Sequence, residues 1–405
     1  MSVAQGINKL TVVKAQSALG TPAAGSGGQV LRRVTSVAKA TRASYTNNEI
    51  VGHQQSTGVN LGTSATDWAF DGLLSPGTYS ELLEALTRKV FTATAAITGV
   101  SVTIAGEGPS YTLTDAANTF LTKGLKTGDV VTITAGAVNA ANAANNILIT
   151  GVTETVITGV TLNGSALVAE GPIASVTIAV KGKKALVPLT GHTDTLFTLE
   201  EWYADISKSE TFPDLRIGQA DIGLPASGNS TIKLAAMGLG VRTIASSQAL
   251  TTPTAATTAP VLTAVRGVLL VNGAPVTTVS GVTVTIKGAL TAEGPIVGSN
   301  FAPDMSRGRI EVSGQFTALF DSTTLSALYA AETLTSLVAV MASDTTKGAD
   351  FVSFSMSAIK LTGDAPDDGE KAIIRTYPFT AQINAAGGAA LASDETIITI
   401  QDSLA

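Results

Sequence analysis

Along most of the chain, apolar and polar residues alternate with the two-residue period of a half-buried strand. Trp68 and Phe70 share one face of such a stretch, and Ile310, Val312 and, after Gly314, Phe316 repeat the pattern. The period turns helical in two short places. Tyr79, Leu82, Leu83 and Leu86 form one apolar stripe, and Leu325, Leu328 and Tyr329 form a second. Thr78 and Glu81 have the T-x-x-E spacing of a capping box, and Asp321 to Thr323 supply cap-type residues before the second stripe. A helix with one apolar stripe needs a sheet to cover it. Each strand–turn–helix stretch is therefore expected to be a packing unit.

The two stretches also share their surroundings. Ile50-Val51-Gly52 precedes the first and Ile296-Val297-Gly298 the second, 246 residues on (296 − 50). Each half ends on strand, turn, strand. Leu215–Leu224 and Thr231–Met237 flank Pro225 to Asn229; Phe351–Thr362 and Glu370–Ile383 flank Gly363 to Gly369. In between, Trp202, Ala204 and Ile206 alternate with Tyr203 and Asp205, which favours a strand although Thr198 and Glu201 have capping spacing. The shared order predicts an internal duplication.

From about Thr92 to Lys184 the texture changes. Short strand patterns at 100–104, 128–134, 147–150, 155–157, 166–168 and 175–180 alternate with Gly- or Asn-rich turns, as in a small β-sandwich or barrel. The expected organisation is a first unit over 1–91, an inserted all-β domain over 92–185, the rest of the first unit over 186–250, and a second unit over 251–405. Three connections stand out: a Gly-rich arm near residues 20–29, a Thr/Ala/Pro linker at 246–260, and a polar loop from Gly52 to Thr66. A loop of that length is uncommon unless it binds something. The fold class is mainly β, with two sandwich or split-barrel units, each carrying one short helix.

Composition narrows the function. Only 14% of the 405 residues are charged, against about 25% in ordinary globular proteins, and Ala, Thr, Val, Gly and Ser dominate. A surface so poor in charge is suited to packing against other copies. Net charge is −6, and basic residues occur at most in small groups such as Arg32-Arg33 and Lys181 to Lys184. Gripping phosphates needs a concentrated basic surface, so nucleic-acid binding of that kind is disfavoured. The absence of cysteine rules out disulfides and thiolate metal sites. No run approaches the roughly 18 apolar residues of a membrane span, and the first residues lack the apolar core of a secretion signal. Synthesis in the cytoplasm without an export address is the expectation.

Candidate chemistry is sparse. His53 and His192 are too few and too far apart for zinc. The turn Asp364 to Glu370 is acidic but fails calcium-loop spacing, with Arg375 where the last ligand belongs. Nucleophile-elbow, phosphate-loop and H-E-x-x-H motifs are missing. Trp68, Trp202 and Tyr203 read more readily as core than as a sugar platform. No paired carboxylates support a glycosidase. Neither an enzyme nor a cofactor protein is expected.

Two phrases carry a resemblance: Asp67 to Leu86 (DWAFDGLLSPGTYSELLEAL) and Phe197 to Gly238 (FTLEEWY…NSTIKLAAMG). They resemble major tail tube proteins of long, non-contractile-tailed bacteriophages. The likeness spans about Val30 to Val90 and Phe197 to Gly240, is fainter over Val261 to Ile383, and omits the insertion. That insertion looks like the immunoglobulin-type decorations of some tail proteins. The resemblance implies rings stacked into the virion's tail tube, through which DNA leaves. It implies helices at Tyr79–Arg88 and Thr324–Ala331, and lumen hairpins carrying Arg216, Gln219, Asp221, Lys233, Ser355, Ser357, Lys360 and Arg375. The loop bearing Gly52, His53, Gln54, Gln55 and Asn60, with a counterpart near Ser299–Arg307, would contact the adjacent ring. Partners implied are other copies of the chain, a tape measure protein in the lumen, tail terminator and distal tail proteins, and DNA in transit without specific binding. Two units per chain imply homotrimeric, pseudo-sixfold rings, and the acidic balance fits a lumen that repels the DNA backbone. The rival readings are a capsid decoration or baseplate protein, and a bacterial surface β-repeat protein.

Overall fold

The computed structural model describes residues 3–53, 55–117, 120–384 and 395–405. It is mainly β, with one hydrogen-bonded network of eighteen strands and a separate closed barrel. The network has two layers. The inner layer runs antiparallel through Thr35–Thr46, Val59–Leu73, Thr231–Gly238, Lys208–Pro225, Val279–Lys287, Glu311–Leu319 and Ile374–Ala381, ending on the last residues of Phe351–Leu361. Along each strand one set of alternate residues is buried and the other faces outward. Trp68, Phe70, Ile222, Val284, Phe316 and Phe379 lie on the buried side, in one core.

The outer layer is built twice. In the first half Lys9–Ala15 pairs with Phe197–Tyr203, which pairs with the opening of Lys208–Pro225, itself joined by Thr243–Ala245. In the second half Gly267–Val271 pairs with Thr335–Ala342, which pairs with Phe351–Leu361, joined by Thr399–Asp402. The two hairpins of the inner layer share a register. Ser44 faces Leu61 in the first, and Leu290 faces Arg307 in the second, each 246 residues on (290 − 44, 307 − 61).

A helix follows each hairpin: α1 at Ser80–Thr87 and α2 at Thr324–Ala330. Leu82, Leu83 and Leu86 of α1 are buried, each contributing about 1.5–3 kcal/mol. Tyr79 donates its hydroxyl to Arg32 O, and burial pushes its pKa up to about 12. Gly72 is required beside it, since a Cβ there would sit 2.2 Å from the Tyr79 hydroxyl. The expected caps do not form: neither helix has a side-chain cap bond. Thr78 is turned instead to the hydroxyls of Ser75 and Thr257, which ties the helix start to the linker.

The insertion closes as a six-stranded barrel of Ile97–Ala105, Ser110–Asp115, Val130–Ala135, Ile147–Val152, Val156–Thr161 and Glu170–Val180. An immunoglobulin sandwich would hold two separate sheets, so the barrel replaces that expectation. Ser110–Asp115 supplies a strand not expected from the sequence, while 166–168 is not one. There the side-chain amide of Asn142 stands in for a neighbour, donating to Val168 O and accepting from Val168 N. The excursion leaves and returns at Thr92 and Lys184, which exchange both backbone hydrogen bonds. Buried Lys184 also pairs with buried Asp129 of the barrel at 2.9 Å.

Candidate functional site

The outward side of the inner layer is a continuous face eight strands wide. Cross-strand partners share a face, so one transverse row can be followed through eight strands: Thr35, Asp71, Lys233, Asp221, Thr285, Ser313, Thr380 and Lys360. Its neighbours include Val37, Ala69, Ala235, Gln219, Lys287 and Glu311. Among the described residues these rows contain no aromatic side chain. Their charges are mixed: Lys39, Lys233, Lys287 and Lys360 stand among Asp67, Asp71, Asp221 and Glu311. The acidic excess of the whole chain is therefore not gathered on this wall. Asp221 is held by Gln219 Nε2 at 2.7 Å and Thr285 Oγ1 at 2.6 Å, a contact that spans the two halves.

Of the hairpin residues expected on this wall, Gln219, Asp221, Lys233 and Lys360 lie on it. Ser355 and Ser357 do not; both are buried on a strand covered on both sides, and Ser355 lies against Gly128 of the barrel domain. Arg375 projects from the core side, where its guanidinium lies 4.2 Å from the Phe320 ring and meets Asp364 at 2.6 Å. Arg216 starts on the open side but is only 4% exposed, because residues 288–308 fold over it. Its Nε and Nη2 fork onto Asp194, and Nη1 donates to Asp304 at 2.6 Å and Met305 O at 2.8 Å. Bidentate pairs of this kind are the strong ones. Burial alone would raise the pKa of Asp304, but the hydrogen bonds from Arg216 and Met305 N and the charge of Arg216 outweigh it, and the pKa falls. Arg307 joins Asp194 as well. Burial, reinforced by Arg88, lowers its pKa to about 10, leaving it charged near neutrality.

This seam between the halves was not anticipated from the sequence. Arg88 adopts a left-handed conformation after α1 and donates to Gly288 O and Gly308 O, both at 2.9 Å. Ser64 N donates to Asn300 O. The expected counterpart loop near Ser299–Arg307 thus packs on the first half of its own chain. Its partners lie more than eighty residues away in sequence, so no local pattern announces them.

Among the described residues the tip of the first hairpin has no such support. Gly52, His53 and Gln55 are exposed at it, and Gln54 lies outside the described residues. The loop is shorter than expected. Strand Val59–Leu73 begins well before Thr66, so Asn60 belongs to the strand, its amide donating to Asn47. The inner layer is open at both ends among the described residues. Thr35–Thr46 pairs only with Val59–Leu73, and at the far end Ala365–Pro366 pairs only with Ile374–Ala381.

An uncovered edge at each end of a polar wall over a closed core is the surface of a structural β protein, a row of backbone groups able to pair with another chain. A family model described as phage tail tube protein matches residues 6–381, and the chain belongs to that family. It is a structural component of the phage tail. No curated protein matches the chain. Among the described residues no helix is long and apolar enough to cross a membrane.

Proposed function

We propose that three copies of this chain close a pseudo-sixfold ring, that rings stack into the tube of a long non-contractile tail, and that the open wall lines the conduit for DNA. The observation that carries this is the eight-strand wall with an unpaired edge at either end. Edge-to-edge contacts of unlike surfaces build either closed rings or filaments, and closure removes the edges. Three copies place about 24 strands around the lumen, which at ~4.8 Å spacing gives a diameter of about 37 Å before tilt. That is wider than a DNA duplex.

The wall's chemistry supports passage. Single strands are gripped by aromatic stacking and duplexes by concentrated positive charge; this wall offers hydroxyls, small side chains and balanced charge. Repeated pairings in the two halves favour an ancestral unit used twice, with residues 1–91 and 186–250 as the first, 251–405 as the second, and 92–185 as an inserted decoration. A tape measure protein inside the lumen and terminator and distal tail proteins at the ends complete the reading.

Negative-stain electron microscopy with light scattering tests it. Hollow tubes built from three-chain rings are expected. Six-chain rings would remove the pseudo-sixfold arrangement, and a chain that stays monomeric at high concentration, even with a tail-tip nucleus, would favour a capsid decoration or baseplate role. Arginines at Thr285 and Thr380 are expected to slow DNA release from assembled particles.

A further inference from the structure

We propose that the arms of the first hairpin's tip, residues 42–46 and 59–63, dock within the ring on the second half of the neighbouring copy, over the Glu332–Lys360 pair, while strand Thr35–Thr46 pairs with that copy's outer edge at residues 362–368. This rests on the reading that copies close into rings. It departs from the expectation that the tip reaches an adjacent ring.

The seam inside the chain is the template. There, hairpin Val279–Leu319 joins its edge to Lys208–Pro225, and its tip lies over the Arg216–Asp194 pair. The first hairpin has the same register 246 residues earlier, but among the described residues no strand within the chain pairs with its outer edge Thr35–Thr46. The second half repeats the receiving surface. Thr335 faces Ile359 as Phe197 faces Leu215. Glu332 and Lys360 therefore occupy the places of Asp194 and Arg216, and they too are paired, at 2.9 Å. In the first half the tip buries Arg216 and leaves Asp194 half exposed, whereas in the second both Lys360 and Glu332 stand in solvent. Both sides of the proposed contact are bare and apolar: Val59 and Leu61 on the tip are 57% and 65% exposed, and Leu334 and Ile383 beside the socket are 49% and 43% exposed.

The template also gives a register. Asp221 faces Lys233 on one side and Thr285 on the other. Phe316 faces Tyr377 as Phe70 faces Leu234, which aligns Thr376 with Lys233. Ala365 faces Thr376 and so stands where Asp221 stands; Lys39 stands 246 residues before Thr285. Lys39 of one copy is thus expected opposite Ala365 of the next.

The chain has no cysteine, so introduced pairs report cleanly. Full-length protein carrying Lys39→Cys and Ala365→Cys is assembled, checked by microscopy, oxidised and run on a non-reducing gel. A covalent three-chain species is expected. Tubes without cross-linking would overturn the inference and leave the tube reading standing; absence of rings from the unaltered chain would remove both. As a second variant, Leu61→Asp changes a side chain already in solvent. It is expected to keep the monomer's melting temperature and raise the concentration needed for ring formation at least tenfold. Intact rings that no longer stack would place the tip on the next ring and overturn the inference, as would assembly at the unaltered concentration.

Discussion

The two halves share a scaffold of strand pairings but are finished differently on their outer faces. In the first half Glu200 points outward, fully buried, and its carboxylate accepts from Ala249 N and Leu250 N at 2.7 Å each and from the Ser209 hydroxyl. The linker is thereby fastened through hydrogen bonds to a charged group. In the second half the corresponding face presents Val338, Val340 and Phe351, and the barrel lies on it with Val130, Leu148 and Val160. One face is closed by polar bonds to extended chain, the other by apolar packing of a folded domain. The helices differ in parallel. Helix α1 is buried beneath neighbouring chain, while α2 has no buried residue. A sheet pairing fixes where backbone goes but leaves open what must cover it.

The comparison breaks most severely if the barrel is removed. Replacing residues 93–183 by a short Gly/Ser linker is expected to uncover the apolar face of the second half and give aggregating, dye-binding protein. Soluble excised protein with the original melting behaviour would mean the barrel is only an ornament. Next in size, Phe351→Ala is expected to cost about 3–5 kcal/mol, read from urea unfolding, because a buried ring between two bodies leaves a cavity. In the first half Glu200→Gln replaces one acceptor oxygen by a donor facing a backbone N–H. A loss of about 1–3 kcal/mol is expected, with faster amide exchange confined to residues 246–254.

The smallest effect concerns the seam. The pKa of Asp304 is depressed in the folded chain. Its contribution is therefore present above the unfolded value, about 3.9, and is lost as pH falls through the lower folded one. Exchange protection of residues 299–307, corrected for intrinsic rate, should fall in that acidic window, and Asp304→Asn should remove the dependence.

Much of this plan was legible in the chain. The strand periods, both helices, the turn at Pro225–Asn229 and the tail tube likeness follow from local pattern. What escaped was nonlocal. Thr78 and Glu81 have the right spacing for a cap, but Thr257 claims the threonine. Residues 166–168 read as a strand because they are apolar, yet the partner is the Asn142 amide. Ser355 and Ser357 alternate like an open wall and are buried, because serines under a docked domain look the same in sequence as serines facing water. Arg216 lies on a strand of alternating wall residues, yet it is buried between two carboxylates that come from opposite sides along the chain.

Lys208–Pro225 begins in the outer layer and ends in the inner one, eighteen residues in a single run of about 60 Å. It is a covalent tie between two shells. Anything that pushes the inner shell outward, or slides along it, pulls on peptide bonds as well as on side-chain packing. The strain is passed to the outer pairings with Phe197–Tyr203, which resist by shear along their whole length instead of opening one bond at a time. The two layers are thus stitched through the thickness of the molecule by one unbroken backbone.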